Sequence, residues 1–409
     1  MSNKIEYKFI NRIMYVLFLF FLYIYIFNPP LSFLPLSPKF GLYILFSPIL
    51  VTKSFYNYVY KFRFFLFCLL ALILYSFFRD LPSVSGFVFF PINLLLLFEV
   101  FLIPIGFLMC YKFLNRNDLV IEIINVASFS ALITLILILQ PNLGDFVRYS
   151  LLKNDEFTEA VSHRAFGIAE SLTYSYGLIQ GLMFAMVLLY SNKNRKLLFT
   201  LPLFFISVLF NARIGFLPLL LGSFIYFVVN FKIQRILLTT FGLIICYFVI
   251  FETNVFVKQK ETIQWGLDFF TQISDFSSGK KTESDNTFST LFGNMLILPH
   301  SELEWLIGTG ENIFGKKFGK SSDIGYIIQL TYGGLIYLFI IFMLVFELYK
   351  IGVQKFYIRK SKYLLFLLVI VMMIANIKGN FFTTVGIFRI VVLIFFWINS
   401  SNKQTKSYE

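Results

Sequence analysis

Apolar runs separated by short polar turns fill most of this chain, and many approach the length needed to cross about 30 Å of hydrocarbon. In order they are Ile13–Phe27, Phe40–Thr52, Phe64–Phe78, Phe87–Tyr111, Leu119–Leu139, Leu172–Tyr190, Leu197–Phe210, Ile214–Val229, Ile236–Phe251, Ile324–Tyr349, Tyr363–Ala375 and Phe381–Trp397. The pattern predicts an all-α polytopic membrane protein with about twelve transmembrane helices. Two stretches are too polar to join it. Residues 140–170 form a first external loop, and residues 252–323 form a long external loop between the ninth and tenth helices. The chain therefore divides into an N-terminal transmembrane bundle (1–251), the long loop (252–323), and C-terminal helices with a tail (324–409).

Composition strengthens this reading. Hydrophobic residues make up 58% of the 409 and charged residues only 14%, against about 25% charged in soluble domains. The formal net charge of +13 would suggest nucleic acid in a soluble chain. Here Lys and Arg collect in the short loops of one side, the distribution that marks a cytoplasmic face. Lys53, Lys61 and Arg63, then Lys112 and Arg116, then Lys193, Arg195 and Lys196, and finally Lys350, Lys355, Arg359, Lys360 and Lys362 all follow that rule. Both termini are predicted on the cytoplasmic side, and no nucleic-acid partner is expected.

Three further features limit the chemistry. Cys68, Cys110 and Cys246 lie inside apolar runs, with no Cys-x-x-Cys spacing, so neither a disulfide nor a metal site is expected. Lys4, Lys8 and Arg12 before Ile13–Phe27 imitate a signal peptide, but Asn28-Pro29-Pro30 follows instead of a small-x-small cleavage site. The first run reads as an uncleaved span. The fifty-six Phe and twenty-three Tyr are lipid-facing bulk and interface anchors.

Cations outside the cytoplasmic clusters are the informative ones, and Arg213, Lys378 and Arg389 break the positive-inside pattern. Arg213, in Asn211-Ala212-Arg213-Ile214-Gly215, sits in a tight turn between two apolar runs. A guanidinium there either snorkels to water or offers a fixed fork of donors to a phosphate. Arg164, in His163-Arg164-Ala165-Phe166-Gly167, closes the first external loop, with Glu170 close behind. It is either an interfacial cation or a second anion contact. Lys378, in the last turn, and Arg389, inside the last span, are candidate electrostatic supports; Glu99 is a candidate partner for Arg389. In the long loop His300, Glu302, Glu304, Glu311 and Asp323 are candidate proton acceptors. Asp323 stands at the mouth of the next span, beside Gly325. Gly308-Thr309-Gly310 lacks the following Lys-Ser/Thr of a phosphate loop and reads as a turn that positions the loop. Trp265 and Trp305 are either stacking platforms for a sugar or interface anchors.

The order of these features resembles a known family. Arg-x-x-Gly (Arg164 to Gly167), an Arg-x-Gly hairpin (Arg213 to Gly215), and one long loop are followed by Gly-x-Gly. Then comes Ser-Asp-x-Gly-Tyr-x-x-x-Leu-x-x-x-Gly-Gly-Leu, from Ser322 to Leu335. This is similar to the O-antigen (Wzy-type) repeat-unit polymerases and, more distantly, to O-antigen ligases. The architectural likeness covers nearly the whole chain, and the motif match about forty residues. The resemblance implies a glycosyltransferase C-like membrane enzyme of the bacterial cytoplasmic membrane that uses neither metal nor other cofactor. Its substrate would be an oligosaccharide on undecaprenyl pyrophosphate, moved to the non-reducing-end hydroxyl of a second lipid-linked unit. A chain-length regulator protein is an implied partner. Arg164 and Arg213 would hold the pyrophosphate, Arg213 also assisting catalysis, with Asp323 or His300 as the base. Glu170, Glu302, Lys378, Arg389 and Trp305 would be supporting residues. The ligases carry His-Asn where this chain has Ser322-Asp323, which leaves the base open between Asp323 and His300. A ligase and a lipid-linked oligosaccharide flippase are the alternatives; few mid-span charges and a long loop weigh against the flippase.

Overall fold

The computed structural model describes residues 2–82, 86–114, 118–153, 164–191, 194–229, 260–278, 293–314, 321–353, 359–380 and 386–401, with isolated positions between 237 and 256. The chain is all-helical, and among the described residues no strand forms; the one β-bridge joins Leu31 to Leu152. Among the described residues five helices are long and apolar enough to cross a membrane: Ile10–Phe27, Phe89–Phe113, Leu119–Leu139, Leu172–Tyr190 and Gly325–Val353. A sixth appears if Lys53–Lys61 and Arg63–Asp80, bent by 82° at their junction, count as one span. Four shorter apolar helices accompany them: Lys39–Val51, Arg213–Val229, Tyr363–Ala375 and Gly386–Ser400. The expected ninth span, 236–251, lies mostly outside the described residues, and His163, Arg116, Lys193, Lys355 and residues 279–292 lie outside them entirely.

Both expected external loops contain helix. Residues 141–146 and 147–151 wind into a short α-turn and a π-turn. Residues 260–277 form an amphipathic helix, whose buried Ile263, Gly266 and Phe269 recur at helical spacing while Glu261 and Gln264 stay exposed. Ser301 caps Glu302–Ile307: its hydroxyl accepts from Glu304 N at 3.2 Å, and the Glu304 carboxylate accepts from His300 N at 2.8 Å. Glu302 and Glu304 thus stand in the first turn, where the helix dipole favours anions.

The helices gather into two compact units that do not follow chain order. One comprises Met1–Phe18, Gly41–Leu119 and Gln272–Glu409; the other Leu19–Phe40 and Val120–Thr271. In the first unit, helix Gly386–Ser401 is buried from residue 386 to 396. It carries Arg389, whose Nε lies 2.8 Å from Glu99 Oε2, both side chains almost fully buried. Glu99 sits in a π-turn, Phe98–Leu102, and also accepts from the Tyr43 hydroxyl at 2.9 Å. The pairing expected from the sequence therefore forms, and it neutralises two charges where hydration is least available.

The same unit contains a broken helix. Gly334 interrupts Gly325–Val353 with φ 64° and ψ −164°, and the backbone it frees is met from outside. Tyr75 donates to Gly333 O at 2.7 Å, Arg79 donates to Gly308 O and Tyr332 O, and Gly310 N donates to Tyr332 O at 2.9 Å. The Tyr332 hydroxyl reaches Asp80 at 2.7 Å. Gly308-Thr309-Gly310 is thus the strap that seals this break. Gly308 (φ 72°) and Gly310 (φ 81°) adopt the left-handed conformation that glycine tolerates.

The second unit is built on Leu172–Tyr190, whose residues Gly177 to Leu188 are all buried. Leu119–Leu139, Leu201–Asn211 and Phe216–Val229 belong to the same unit.

Arg389→Met alone should destabilise the protein by about 3–5 kcal/mol, because it strands a buried carboxylate. Adding Glu99→Gln should recover a large part of that loss. Thermal unfolding in detergent reads both; equal melting of the single and double variants would contradict the assignment.

Candidate functional site

Gly177, Gly181 and Ala185 recur every fourth residue on one face of helix Leu172–Tyr190. They meet the hairpin 212–222 backbone to backbone. A Cβ on Gly177 would lie 2.7 Å from Ala212 Cβ; one on Gly181 would strike the Gly215 carbonyl, and one on Gly215 the Gly177 carbonyl. Gly222 lies against Ala185 in the same way. Small residues at this spacing let membrane helices approach closely, where van der Waals contact replaces the missing hydrophobic drive. Helix Leu201–Asn211 ends at an extended Ala212, and a single 3₁₀ turn, Arg213–Gly215, leads into the next helix. Arg213 is therefore held by a backbone that has no room to shift.

Arg164 is positioned by a strained strap. Ala165 (φ 74°) and Ser171 (φ 48°) both occupy the left-handed region, at about 1 kcal/mol or more each for residues with a Cβ. Ala165 N donates to Phe210 O at 3.3 Å, and Phe166 packs edge-on against Phe210 at 6.1 Å. Glu170 ties the strap to the end of the first helix. Its N–H donates to Phe27 O at 2.8 Å, and its carboxylate accepts from Asn28 Nδ2 at 2.5 Å.

The two arginines meet on one side chain. The guanidinium carbons of Arg164 and Arg213 each lie 4.3 Å from the ring centroid of Trp265, so they are no more than twice that distance apart. Trp265 is carried by the amphipathic helix Lys260–Ser277, which docks through Gly266 directly onto Leu209, where a Cβ would come within 2.7 Å. Phe269 and Phe270 complete the docking against Phe216. A third arginine supports the strap: Arg148 donates to the Arg164 carbonyl at 3.3 Å, pairs with Asp145 at 2.6 Å, and lies 4.7 Å from the Phe166 ring centroid. Asp268, three residues past Trp265, acts on Arg213 electrostatically. Arg213 Nε is buried, with no hydrogen-bond partner among the described residues.

At that upper limit, about 8.6 Å, the two guanidiniums repel by about 2 kcal/mol at an effective dielectric of about 20, and by more if they lie closer. Each recovers about 0.5–2 kcal/mol from the indole face. The planar fork of a guanidinium matches phosphoryl oxygens two at a time. Behind Arg213 the interior of the unit is polar. Tyr176 OH lies 2.7 Å from Thr134 Oγ1 and 3.0 Å from Ser130 Oγ, and Gln180, Ser207 and Asn211 are fully buried nearby in the chain.

The other candidates lie in the first unit. The Asp323 carbonyl accepts from Gly379 N at 2.5 Å, and its neighbour Ser322 caps the helix start, Oγ accepting from Ile324 N at 3.1 Å. Its side chain is half-buried. His300, Glu302, Trp305 and Glu311 are exposed, and Lys378 is half-buried in the final turn. Sequence reasoning missed Arg148, which lies within the stretch 140–170 read as an external loop. It also missed Arg79 and Asp80, whose roles depend on a helix break 250 residues later. The helix around Trp265 was read as part of the long loop, although Ile263, Gly266, Phe269 and Phe270 recur on one face.

No family model, curated protein or solved structure matches this chain.

Gly215→Ala, which forces Cβ into the Gly177 carbonyl, should cost more stability than Ala212→Gly and displace Arg213. Thermal unfolding of the purified variants checks this; a Gly215→Ala protein as stable as wild type would contradict the backbone contact.

Proposed function

We propose that the chain polymerises lipid-linked oligosaccharide repeat units at the outer face of a bacterial cytoplasmic membrane, with both termini on the cytoplasmic side. The observation that carries the proposal is the convergence of Arg164 and Arg213 on Trp265. These are the two cations that the family resemblance marks for pyrophosphate, and they lie nearly fifty residues apart in sequence. The finer architecture, about twelve spans with the long loop external, belongs to the same proposal.

In the proposed reaction a sugar hydroxyl of one lipid-linked unit attacks the anomeric carbon of another unit's reducing-end sugar. A C–O glycosidic bond forms as the C–O bond to undecaprenyl pyrophosphate breaks, and the bonding pair leaves on the pyrophosphate oxygen. The hydroxyl proton passes to a base. Fixed guanidiniums lower the barrier by meeting the negative charge as it grows on the leaving group. Pyrophosphate is a good leaving group, so acid assistance is a smaller demand than electrostatic stabilisation. Asp323 and His300 are the candidate bases; they belong to the other unit, and the proposal rests on the arginine site alone.

In a strain lacking this gene, with surface glycan resolved by size, Arg213→Ala and Arg164→Ala should each leave single repeat units at normal protein level. Each should lower polymer by about 100-fold or more. Arg213→Lys should restore only part, because an ammonium lacks the planar fork. If deleting the gene instead abolishes all surface glycan and lipid-linked units accumulate inside, the protein moves glycan rather than joining it.

A further inference from the structure

We infer that the bend between helices Lys53–Lys61 and Arg63–Asp80 binds the headgroup of an anionic phospholipid through Arg63 and Lys350. The site lies within the first unit and is independent of the arginine pair on Trp265. Residues 53–63 read from the sequence as a basic loop between two spans. They form instead a nine-residue helix set at 82° to the one that follows. A helix at nearly a right angle to an apolar span lies along the membrane surface. One side of it is docked. Phe55 is buried edge-on to Phe101 at 6.3 Å, and Phe62, at the bend, stacks on Phe396 at 3.9 Å. Lys61 ties the same end to the last helix, Nζ donating to Asn399 O at 2.8 Å. Lys53, Tyr56 and Tyr60 stay exposed. Tyrosines, with an apolar ring and a polar tip, are residues that settle at a membrane–water interface.

The bend brings together two cations from distant parts of the chain. Arg63 Cζ lies 4.9 Å from the Tyr60 ring centroid and 5.1 Å from that of Phe64, and Lys350 Nζ lies 5.6 Å from the same Phe64 ring. The positive-inside pattern gives both cations the same face of the membrane, although they come from different loops. Phe64 is itself exposed, as is Phe67 one turn on. Those rings begin a helix whose exposed side continues through Leu70, Leu74 and Phe78, so the neighbour that meets them is hydrocarbon. The neighbour that meets Arg63 is then the headgroup above it. A guanidinium fits two phosphate oxygens, and an ammonium adds a point charge. The local charge favours an anion. Lys350 Nζ also lies 3.4 Å from Glu347 Oε1, a weak i,i+3 contact. No described carboxylate pairs with Arg63, and Lys53 adds a further positive charge on the same helix.

The test is native mass spectrometry of the purified full chain with phosphatidylglycerol and phosphatidylcholine of identical acyl chains. Wild type should retain phosphatidylglycerol more tightly by about tenfold. Arg63→Gln and Lys350→Gln should each lower that preference by about fivefold, the effect of one basic residue beside an anionic surface. The two changes together should bring it to about one. Replacing Arg195 and Lys196, exposed cations of the other unit, by Gln should leave the preference unchanged. Equal retention of the two lipids by wild type would overturn the inference and turn this surface toward water or a protein. A preference that survives in the Arg63→Gln, Lys350→Gln double variant would overturn it as well. So would an equal fall on replacing Arg195 and Lys196, since diffuse charge would then account for the binding.

Should the substituted chains not fold, wild type carries the test. Phosphatidylglycerol with a photoreactive headgroup should label peptides within 53–67 or 343–353, and labelling confined to other segments would overturn the inference. None of these outcomes bears on the arginine pair, which is read by polymer length.

Discussion

The backbone contact between helix Leu172–Tyr190 and the hairpin at 212–222 fixes everything chemical in its unit. Gly177, Gly181 and Gly215 carry no side chain at positions where a Cβ would strike a neighbouring main chain. That absence brings two helices to their closest approach and leaves the turn at Arg213 no freedom. The strap carrying Arg164 hangs from the same hairpin through the Ala165 to Phe210 hydrogen bond. Trp265 arrives on a helix seated on Leu209, one turn before the hairpin. Three segments far apart in sequence thus share one mechanical reference. An anion site needs such rigidity, because two like charges separate unless something holds them.

Charge is handled differently in the two units. In the first, Glu99 and Arg389 neutralise each other where both are nearly sealed from water, and the broken helix at Gly334 has its carbonyls met by Arg79, Tyr75 and the glycine strap. Those cations are satisfied and structural. In the second, Arg164 and Arg213 rest on a neutral ring. Two half-buried cations brought together cost stability through their repulsion, and such expenditure is typical of sites that bind.

Much of the fold was legible because membrane helices announce themselves by length. Leu119–Leu139 and Leu172–Tyr190 appear with the bounds that hydropathy gives. The helices inside the polar stretches were not read, since a segment such as 260–277 is too polar to register as a span and was taken with its surroundings as loop. Arg213 stood out because it breaks the positive-inside pattern, and Arg164 because it closes the first external loop at the entry to a span. Their meeting on Trp265 did not, because periodicity carries no information on contacts between segments a hundred residues apart. Arg148 was invisible for a related reason: its burial depends on Asp145 and Phe166 folding around it. Gly308-Thr309-Gly310 was read as a turn that positions the loop, yet the break at Gly334 that it seals has no local signature beyond two adjacent glycines.

The most direct measurement is a double-mutant cycle on farnesyl diphosphate binding with Arg164→Gln, Arg213→Gln and the pair together. If the two guanidiniums grip one ligand, each single change removes most of the affinity and the second costs little more, a coupling of about 1 kcal/mol or greater. Free energies that add independently would mean that the arginines serve separate places, and the shared anion site would be wrong.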